Sequence, residues 1–277
     1  MDKRRMAALL MALSFILMQA VSAAADAVDR SPDDTFISLG ADLTETEKGI
    51  VLGIFGLEES DLSAYNVGTV TNQDEHQYLG AYLDRGVIGT RALSSAVVTS
   101  REEGYGIHVT SHNISYCTVG MYQNALVTAG IKDADIVVAG PFSISGTAAL
   151  VGAMRSYEGL TGQPLDSAQF DAANQELAVT SGLGQALEDP AQAEQLISMI
   201  KSEVLADDYD REGLGEIIDQ TASEMQISLT EEDRQKIIDL MDQIDDLDLD
   251  LDVLKQQVSD IYDKLQDIDL HVDKEQA

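Results

Sequence analysis

Residues 104–158 read GYGIHVTSHNISYCTVGMYQNALVTAGIKDADIVVAGPFSISGTAALVGAMRSYE, and this stretch decides the fold. Residues 107–114 and the continuous apolar run 135–139 have strand patterns, whereas residues 118–129 and 145–157 have helical periodicity. The run at 135–139 is typical of a strand buried on both faces. Strands that alternate with helices predict an α/β fold, with a mixed sheet and flanking helices.

The preceding residues extend the same pattern. Further strands are expected at residues 36–39, 67–71 and 96–98, and a helix at residues 73–83. Thr44 and Glu47 have the spacing of a capping box at the start of another helix, and Gly56 is placed to end it. Two glycines between residues 102 and 106 predict a hairpin tip that joins the strands at 96–98 and 107–114.

The chain after residue 160 has helical patterns only, so residues 36–160 are predicted as the α/β domain and residues 161–277 as an acidic, all-α C-terminal region. Residues 207–277 hold 23 acidic and 6 basic residues. A seam of apolar residues at spacings of 3 and 4 crosses this region, and the Asp-rich stretch 245–250 interrupts it. This pattern predicts a helical hairpin; one long helix with a local change of register is the alternative. The seam consists of Ile237, Met241, Ile244, Leu247, Leu251, Leu254, Val258, Ile261, Leu265 and Ile268.

The N-terminus has the pattern of a secretory signal peptide. Lys3, Arg4 and Arg5 precede an apolar run at residues 6–18, and small residues follow it. Residues 1–25 are therefore predicted as a signal peptide and residues 26–35 as a linker; retention of the segment as an uncleaved anchor is the alternative. No later segment has the length of a membrane span. These patterns predict a secreted or cell-envelope protein.

The charge of the chain restricts its partners. A formal net charge of −32 over 277 residues repels phosphate backbones, so no nucleic-acid partner is expected. Acidity of this kind maintains solubility outside the cell, or it attracts a basic or cationic partner. Cys117 is the only cysteine, which excludes an internal disulfide, and it is predicted to be a small buried residue.

The best candidate site is the junction at residues 140–147, where a buried strand leads into a helix. Free amides at a helix start attract anions, and ligands of α/β sheets collect at the carboxyl ends of strands. Polar residues at three such ends are expected to converge; as an alternative, they are local caps and turns. The candidate ligand-binding residues are Asn72, Asn113, Ser143, Ser145, Gly146 and Thr147, with His112 beside them.

Neither a metal site nor a cofactor is predicted. His108 and His112 share a strand face but lie roughly 13 Å apart, too far to hold one ion together. A calcium loop that begins at Asp246 would need Gly at position 251 and Glu at position 257, where the chain has Leu251 and Gln257. The junction at 140–147 lacks the patterns of a phosphate loop and of a nucleophile elbow.

Four segments of the chain are distinctive: SLGADLT at 38–44, TVTN at 69–72, NALVTAGI at 124–131 and SGTAAL at 145–150. In these segments the chain resembles the YpuA-like family, secreted proteins of Gram-positive bacteria that carry a domain of unknown function. The resemblance covers the chain after the signal peptide, and it implies export and an α/β-plus-helical layout. It implies no catalytic residues.

Three hypotheses for the function follow. The first is a binding or interaction module of the cell envelope, with a basic or cationic partner for the acidic tail. The second is an enzyme that acts on an envelope molecule, with an anion or carbohydrate site at residues 140–147. The third is a structural protein that forms oligomers through the C-terminal helices. The lack of a complete catalytic motif favours a role other than catalysis.

Overall fold

A five-stranded mixed β-sheet organises the fold. The computed structural model describes residues 31–205 and 211–247, together with Ser259. The strand order is β2-β1-β3-β5-β4. Strand β1 is parallel to β2, and β4 is parallel to β5, whereas β3 is antiparallel to β1 and to β5. The strands are β1 Thr35–Gly40, β2 Asn66–Val70, β3 Ser95–Ser100, β4 Ile107–Ile114 and β5 Ala134–Ile144.

Helices connect the strands and then fill the rest of the described chain. Several begin with a side chain that accepts from a free backbone amide, as Thr118 does from Met121. Within the described residues the α-helices are α1 Glu45–Ile54, α2 Asn72–Leu79, α3 Arg85–Ile88, α4 Val119–Thr128, α5 Thr147–Thr161, α6 Ser167–Leu187, α7 Pro190–Val204, α8 Arg211–Glu224 and α9 Glu231–Asp245. No helix in this part of the chain has the length and apolar character of a membrane span.

The two faces of the sheet are covered unequally. On one face α1 packs with Val51 and Phe55 against Ile37 and Val97 of the sheet. On the other face α5 packs across β1 and β3, α4 packs on β4, and α6 packs against α4. One large hydrophobic core includes Leu150 of α5 and Ile197 of α7. Side chains on both sides of residue 160 therefore share one core, and a domain boundary at residue 160 stays a prediction.

A fully buried ion pair lies within the helical layer. Lys201 Nζ of α7 is 2.6 Å from Glu176 Oε1 of α6, and neither side chain is exposed beyond 1%. The ammonium group also donates to Thr128 Oγ1 at 3.0 Å and to the carbonyl oxygen of Asn124 at 3.2 Å. The three protons of the lysine are thus matched by three acceptors, as a buried charge requires.

Several sequence predictions are confirmed. Strand β4 has the predicted bounds. Thr44 and Glu47 form both hydrogen bonds of the capping box, and Gly56 has a φ of +71° just after the end of α1. The buried part of the apolar seam includes Ile237, Met241 and Ile244. Leu247 of the seam is buried as well. The seam after Leu247, the second half of the predicted hairpin and the predicted signal peptide lie outside the described residues.

Two predictions about the sheet are wrong. Strands β3 and β4 do not form a hairpin, because β5 lies between them and pairs with both. The residues predicted as a turn at 140–143 continue strand β5 instead, so that Ile114 of β4 is paired with Ile144. Between the pairs His112–Ala139 and Ile114–Ile144, β5 has four residues where β4 has only Asn113, whose φ is +58°. A bulge in β5 takes up the extra residues and lets the pairing continue.

Candidate functional site

A cleft of about 450 Å³ opens at one edge of the sheet. Strands β1, β2, β4 and β5 end at this edge, and the antiparallel β3 begins there. The pairing of Ser95, the first residue of β3, with Ala139 of β5 establishes this arrangement. Ligands of α/β sheets bind at this kind of edge. The lining residues are Glu75, Gly86, Val87, Ile88, Gly89, Thr90, Arg91, Leu93, Ser94, Ser115, Tyr116, Ile144, Ser145 and Thr147.

Glu75 is the central polar group of the cleft. It belongs to the first turn of α2, and only 1% of its surface is exposed to solvent. Its Oε1 accepts a hydrogen bond from Thr147 Oγ1 at 2.6 Å, and its Oε2 accepts one from Asn72 Nδ2 at 3.2 Å. Both carboxylate oxygens therefore have donors, although the group is removed from solvent.

Burial changes the titration of this carboxyl group. Desolvation raises the pKa of Glu75 from its ordinary value of 4.5 to about 7, since water stabilises the charged form and the protein interior does not. The hydrogen bonds from Thr147 and Asn72 act in the opposite direction, and the negative charges of Asp42 and Asp74 add to the rise. Near neutral pH the group is thus present in both its protonated and its ionised form.

The start of α5 gives this carboxyl group its position. Gly146 precedes the helix with a φ of +96°, and its carbonyl oxygen accepts from the buried Tyr122 hydroxyl at 2.7 Å. Thr147 is the first residue of the helix, and its Oγ1 lies 3.3 Å from Ser145 Oγ. The start of α5 thus lies next to a carboxyl group of the same chain. This placement is favourable, because a helix N-terminus stabilises negative charge.

Three of the residues that the sequence singles out gather around Glu75. Asn72 and Thr147 donate to it, and Ser145 lies beside Thr147 on the lining of the cleft. Asn72 also donates to the carbonyl oxygen of Gly89 at 3.4 Å, which joins α2 to the loop after α3. Gly146 is buried and acts through its backbone conformation.

The other candidate residues lie elsewhere. Asn113 donates its side-chain amide to the carbonyl oxygen of Gly140 at 3.0 Å, and this bond holds the bulge in β5 against β4. Ser143 and His112 are exposed, and neither of them lines the cleft. The structure therefore brings together the starts of α2 and α5 but not the polar end of β4.

Two further side chains shape the cleft. Ser94 Oγ accepts from the backbone amide of Ala149 at 2.9 Å. The guanidinium of Arg91 donates to Glu47 and to the carbonyl oxygen of Asp42, both at 2.7 Å. The hydrogen bond from Arg91 lowers the pKa of Glu47 to about 2, so this pair stays ionised. The positive charge in the cleft wall is therefore already matched within the protein.

Sequence reasoning gave no role to Glu75, Arg91 or Ser94. One signal did point to Glu75, because it lies four residues before the buried Leu79 and so occupies the inward side of α2. An acidic residue on the apolar side of a helix needs a partner, and such residues gather at functional sites. No comparable local signal marks Ser94, whose partner is 55 residues away.

The fold and the cleft define an α/β protein with a mixed sheet and a cleft, lined by apolar and polar side chains, at the edge where its parallel strands end. The chain belongs to the family described as "Protein of unknown function (DUF1002)", whose family model matches residues 39–261. It is 37% identical over 224 residues to "Uncharacterized protein YpuA" of Bacillus subtilis (strain 168), and the match spans 80% of this chain and 76% of that protein. The resemblance to YpuA-like proteins is thereby confirmed. No solved structure matches the chain.

Proposed function

We propose that the protein is a binding module whose cleft takes an uncharged, hydroxyl-rich ligand, with carbohydrate as the ligand class. The observation that carries this proposal is the hydrogen bond from Thr147 to Glu75. It holds a carboxyl group of the chain beside the first residue of α5, close to the helix start where an external anion could otherwise bind. A ligand with hydroxyl groups avoids repulsion by Glu75 and can donate to it.

The remaining lining suits hydroxyl groups. The hydroxyls of Ser94, Ser145 and Ser115 line the cleft, and each can act as a donor or an acceptor. Apolar side chains such as Val87 and Ile88 lie between them. A mostly apolar cleft with a few placed polar groups is typical of a small-molecule site.

Catalysis by Glu75 is the second candidate function, favoured by the pKa of about 7 that suits an acid or base near neutral pH. Hydrolysis of a glycosidic bond ordinarily uses two carboxyl groups roughly 5–10 Å apart across the scissile bond. Glu75 supplies the one carboxyl group in the described lining of this cleft. This difference favours binding over hydrolysis.

The proposal also concerns where the protein acts and what its acidic C-terminal region binds. The signal-peptide pattern favours a protein of the cell envelope or the exterior, and the acidic residues after 206 favour a basic or cationic envelope partner. Pull-down with the full chain and with a chain that ends at residue 247 tests the second point. Loss of a basic partner from the shortened chain supports it for the residues after 247, and identical partners for both chains contradict a role for those residues.

Calorimetric titration with neutral, amide-free oligosaccharides tests the cleft. Maltopentaose and cellopentaose serve as probes, and inorganic phosphate serves as the anion. At least one oligosaccharide should bind the native chain, and Ser145→Ala and Glu75→Gln should weaken that binding at least tenfold. Ser143→Ala is the matched control, because Ser143 is near in sequence but exposed and outside the lining.

Tight binding of phosphate with no binding of either oligosaccharide would overturn the proposal. So would equal oligosaccharide affinities for the native chain, Ser145→Ala and Glu75→Gln. Hydrolysis of an oligosaccharide that Glu75→Gln abolishes would replace binding with the second candidate function.

A further inference from the structure

A second cleft, of about 610 Å³, lies away from the Glu75 site among the helices. Its walls come from α2, the end of α5, the first turns of α6, and α9, and they include Tyr78, Glu158 and Gln243. It shares no lining residue with the first cleft. Any ligand of this second cleft is therefore independent of the proposed function.

Asn174 gives this cleft its chemical character. The residue is 1% exposed and lines the cleft, yet neither Oδ1 nor Nδ2 has a hydrogen-bond partner among the described residues. Buried polar atoms are nearly always hydrogen-bonded, so an amide without partners on both of its atoms is unusual. In contrast, the buried Asn124 uses its Oδ1 to accept from Ser198 at 3.0 Å.

The carboxamide of Asn174 offers a donor and an acceptor side by side in one plane. This pattern matches a ligand edge that also has an acceptor and a donor next to each other. An asparagine recognises adenine in this way, through N6 and N7 of the base. A cyclic amide presents the same two groups on one edge.

Aromatic rings form the adjacent wall. The rings of Tyr78 and Phe170 lie 4.5 Å apart between centroids, and both residues line the cleft. Aromatic faces of this kind stack on planar rings. A flat ligand can therefore contact the rings while its polar edge meets Asn174.

The charges of the lining exclude an anionic ligand. Glu158 and Asp171 are the side chains among the described lining residues that carry a charge near neutral pH, and both are acidic. Glu158 accepts from the backbone amide of Leu165 at 2.9 Å, and this bond holds its carboxylate at the cleft. A phosphate group would be repelled here, whereas an uncharged ligand would not.

We propose that this cleft binds an uncharged planar ligand with an adjacent donor and acceptor on one edge, the chemistry of a nucleobase or a cyclic amide. Asn174 Nδ2 donates to the acceptor of the ligand, and Asn174 Oδ1 accepts from its donor. The rings of Tyr78 and Phe170 contact its face.

Nuclear magnetic resonance titration with matched ligand pairs tests the proposal. Adenosine is compared with purine riboside, which lacks the 6-amino donor, and 2-pyridone is compared with N-methyl-2-pyridone, which lacks the N–H. At least one intact ligand should shift the side-chain amide resonances of Asn174 and bind at least tenfold more tightly than its counterpart. The pair that responds distinguishes a nucleobase site from a cyclic-amide site, and adenosine monophosphate should bind more weakly than adenosine.

Asn174→Leu should weaken binding of that ligand at least tenfold while the chain stays folded, because leucine has the same branched shape and number of side-chain heavy atoms and needs no hydrogen-bond partner. Ser156→Ala is the matched control; it removes another buried, unpartnered polar group that lies outside the cleft, and it should leave binding unchanged. Unmoved Asn174 resonances with all four ligands would overturn the proposal. Equal affinities of the native chain for the two ligands of each pair would also overturn the proposal, and this result needs no protein variant.

Discussion

The hydroxyl of Thr147 donates to the carboxylate of Glu75 at 2.6 Å, although the two residues are 72 positions apart in the chain. The contact joins the first turn of α2 to the first turn of α5, at the edge where the parallel strands end. It places a carboxyl group of the chain next to a helix N-terminus, which favours negative charge. The cleft therefore has a titratable group at its centre instead of a vacant anion site.

The raised pKa of Glu75 predicts that stability falls as the pH rises. The unfolded chain loses this proton near pH 4.5, whereas the folded chain keeps it to about pH 7. Its favourable contribution is therefore complete below pH 4.5 and is lost as the pH rises through 7. The loss amounts to roughly 3 kcal/mol in the free energy of unfolding. Burial raises the pKa of Glu194 to about 7 as well, which adds to the same trend.

Urea unfolding of the native chain at pH 5 and pH 8 measures this effect. Glu75→Gln should reduce the difference in the free energy of unfolding between pH 5 and pH 8 by most of the amount assigned to Glu75, because glutamine does not titrate. Glu103→Gln, at an exposed position, should leave the difference unchanged. Equal pH dependence in the native chain and in Glu75→Gln would contradict the assignment.

Lys201→Met is predicted to be strongly destabilising. The change leaves the carboxylate of Glu176 buried without its cation, and such losses cost about 3–5 kcal/mol. The double variant Lys201→Met with Glu176→Leu should recover most of that loss, because no buried charge remains. Denaturant unfolding of both variants measures the difference.

The exposed pair of Lys236 and Glu232 is the control for this experiment. Lys236→Met should change the free energy of unfolding by less than about 0.5 kcal/mol, since solvent screens a surface pair. A Lys201→Met variant as stable as Lys236→Met would show that the buried pair is not needed.

Gly146→Ala is predicted to disturb the start of α5. A φ of +96° disfavours any side chain, and a Cβ atom there would contact the Tyr122 hydroxyl and lie 2.7 Å from Ile114 Cγ2. We expect a loss of about 1–3 kcal/mol in thermal or denaturant unfolding. Gly182→Ala, inside α6 with no atom within 4 Å of the new Cβ, should instead stabilise the protein by about 0.5–1 kcal/mol.

Cys117 is predicted to be unreactive in the folded protein. Burial raises the pKa of its thiol to about 12, and the thiolate is the reactive form. A colorimetric disulfide reagent at pH 8 should modify the native chain far more slowly than free cysteine. The same reagent should modify one thiol per chain at once in denaturant. A native rate close to that of free cysteine would show that the side chain reaches solvent.

Local patterns predicted much of the secondary structure. The bounds of β4 and the capping box at Thr44 and Glu47 follow from residues within a few positions of each other, so the sequence shows them directly. The hairpin between β3 and β4 was a wrong prediction for the opposite reason. Two neighbouring strand patterns and a glycine turn do not reveal that β5, some 30 residues later, takes the place between them.

The candidate site was predictable in part. Asn72, Ser145 and Thr147 were found because polar residues at strand ends and helix starts are a local signal, and they do gather in one region. Asn113 shares that signal, yet its side chain holds a bulge. A polar residue at a strand end has the same local pattern whether it faces a cleft or binds its own backbone.

Most helices and strands, the acidity of the chain and the burial of its single cysteine could be predicted from the sequence. Similarity to a family model and to a relative also identified the family. The strand order, the pairing of Lys201 with Glu176 and the placement of Glu75 against Thr147 became visible only in the folded chain. This difference follows from the range of the interactions. Caps and periodicity depend on neighbours within one or two helical turns, whereas a buried charge finds its partner only when distant elements pack together.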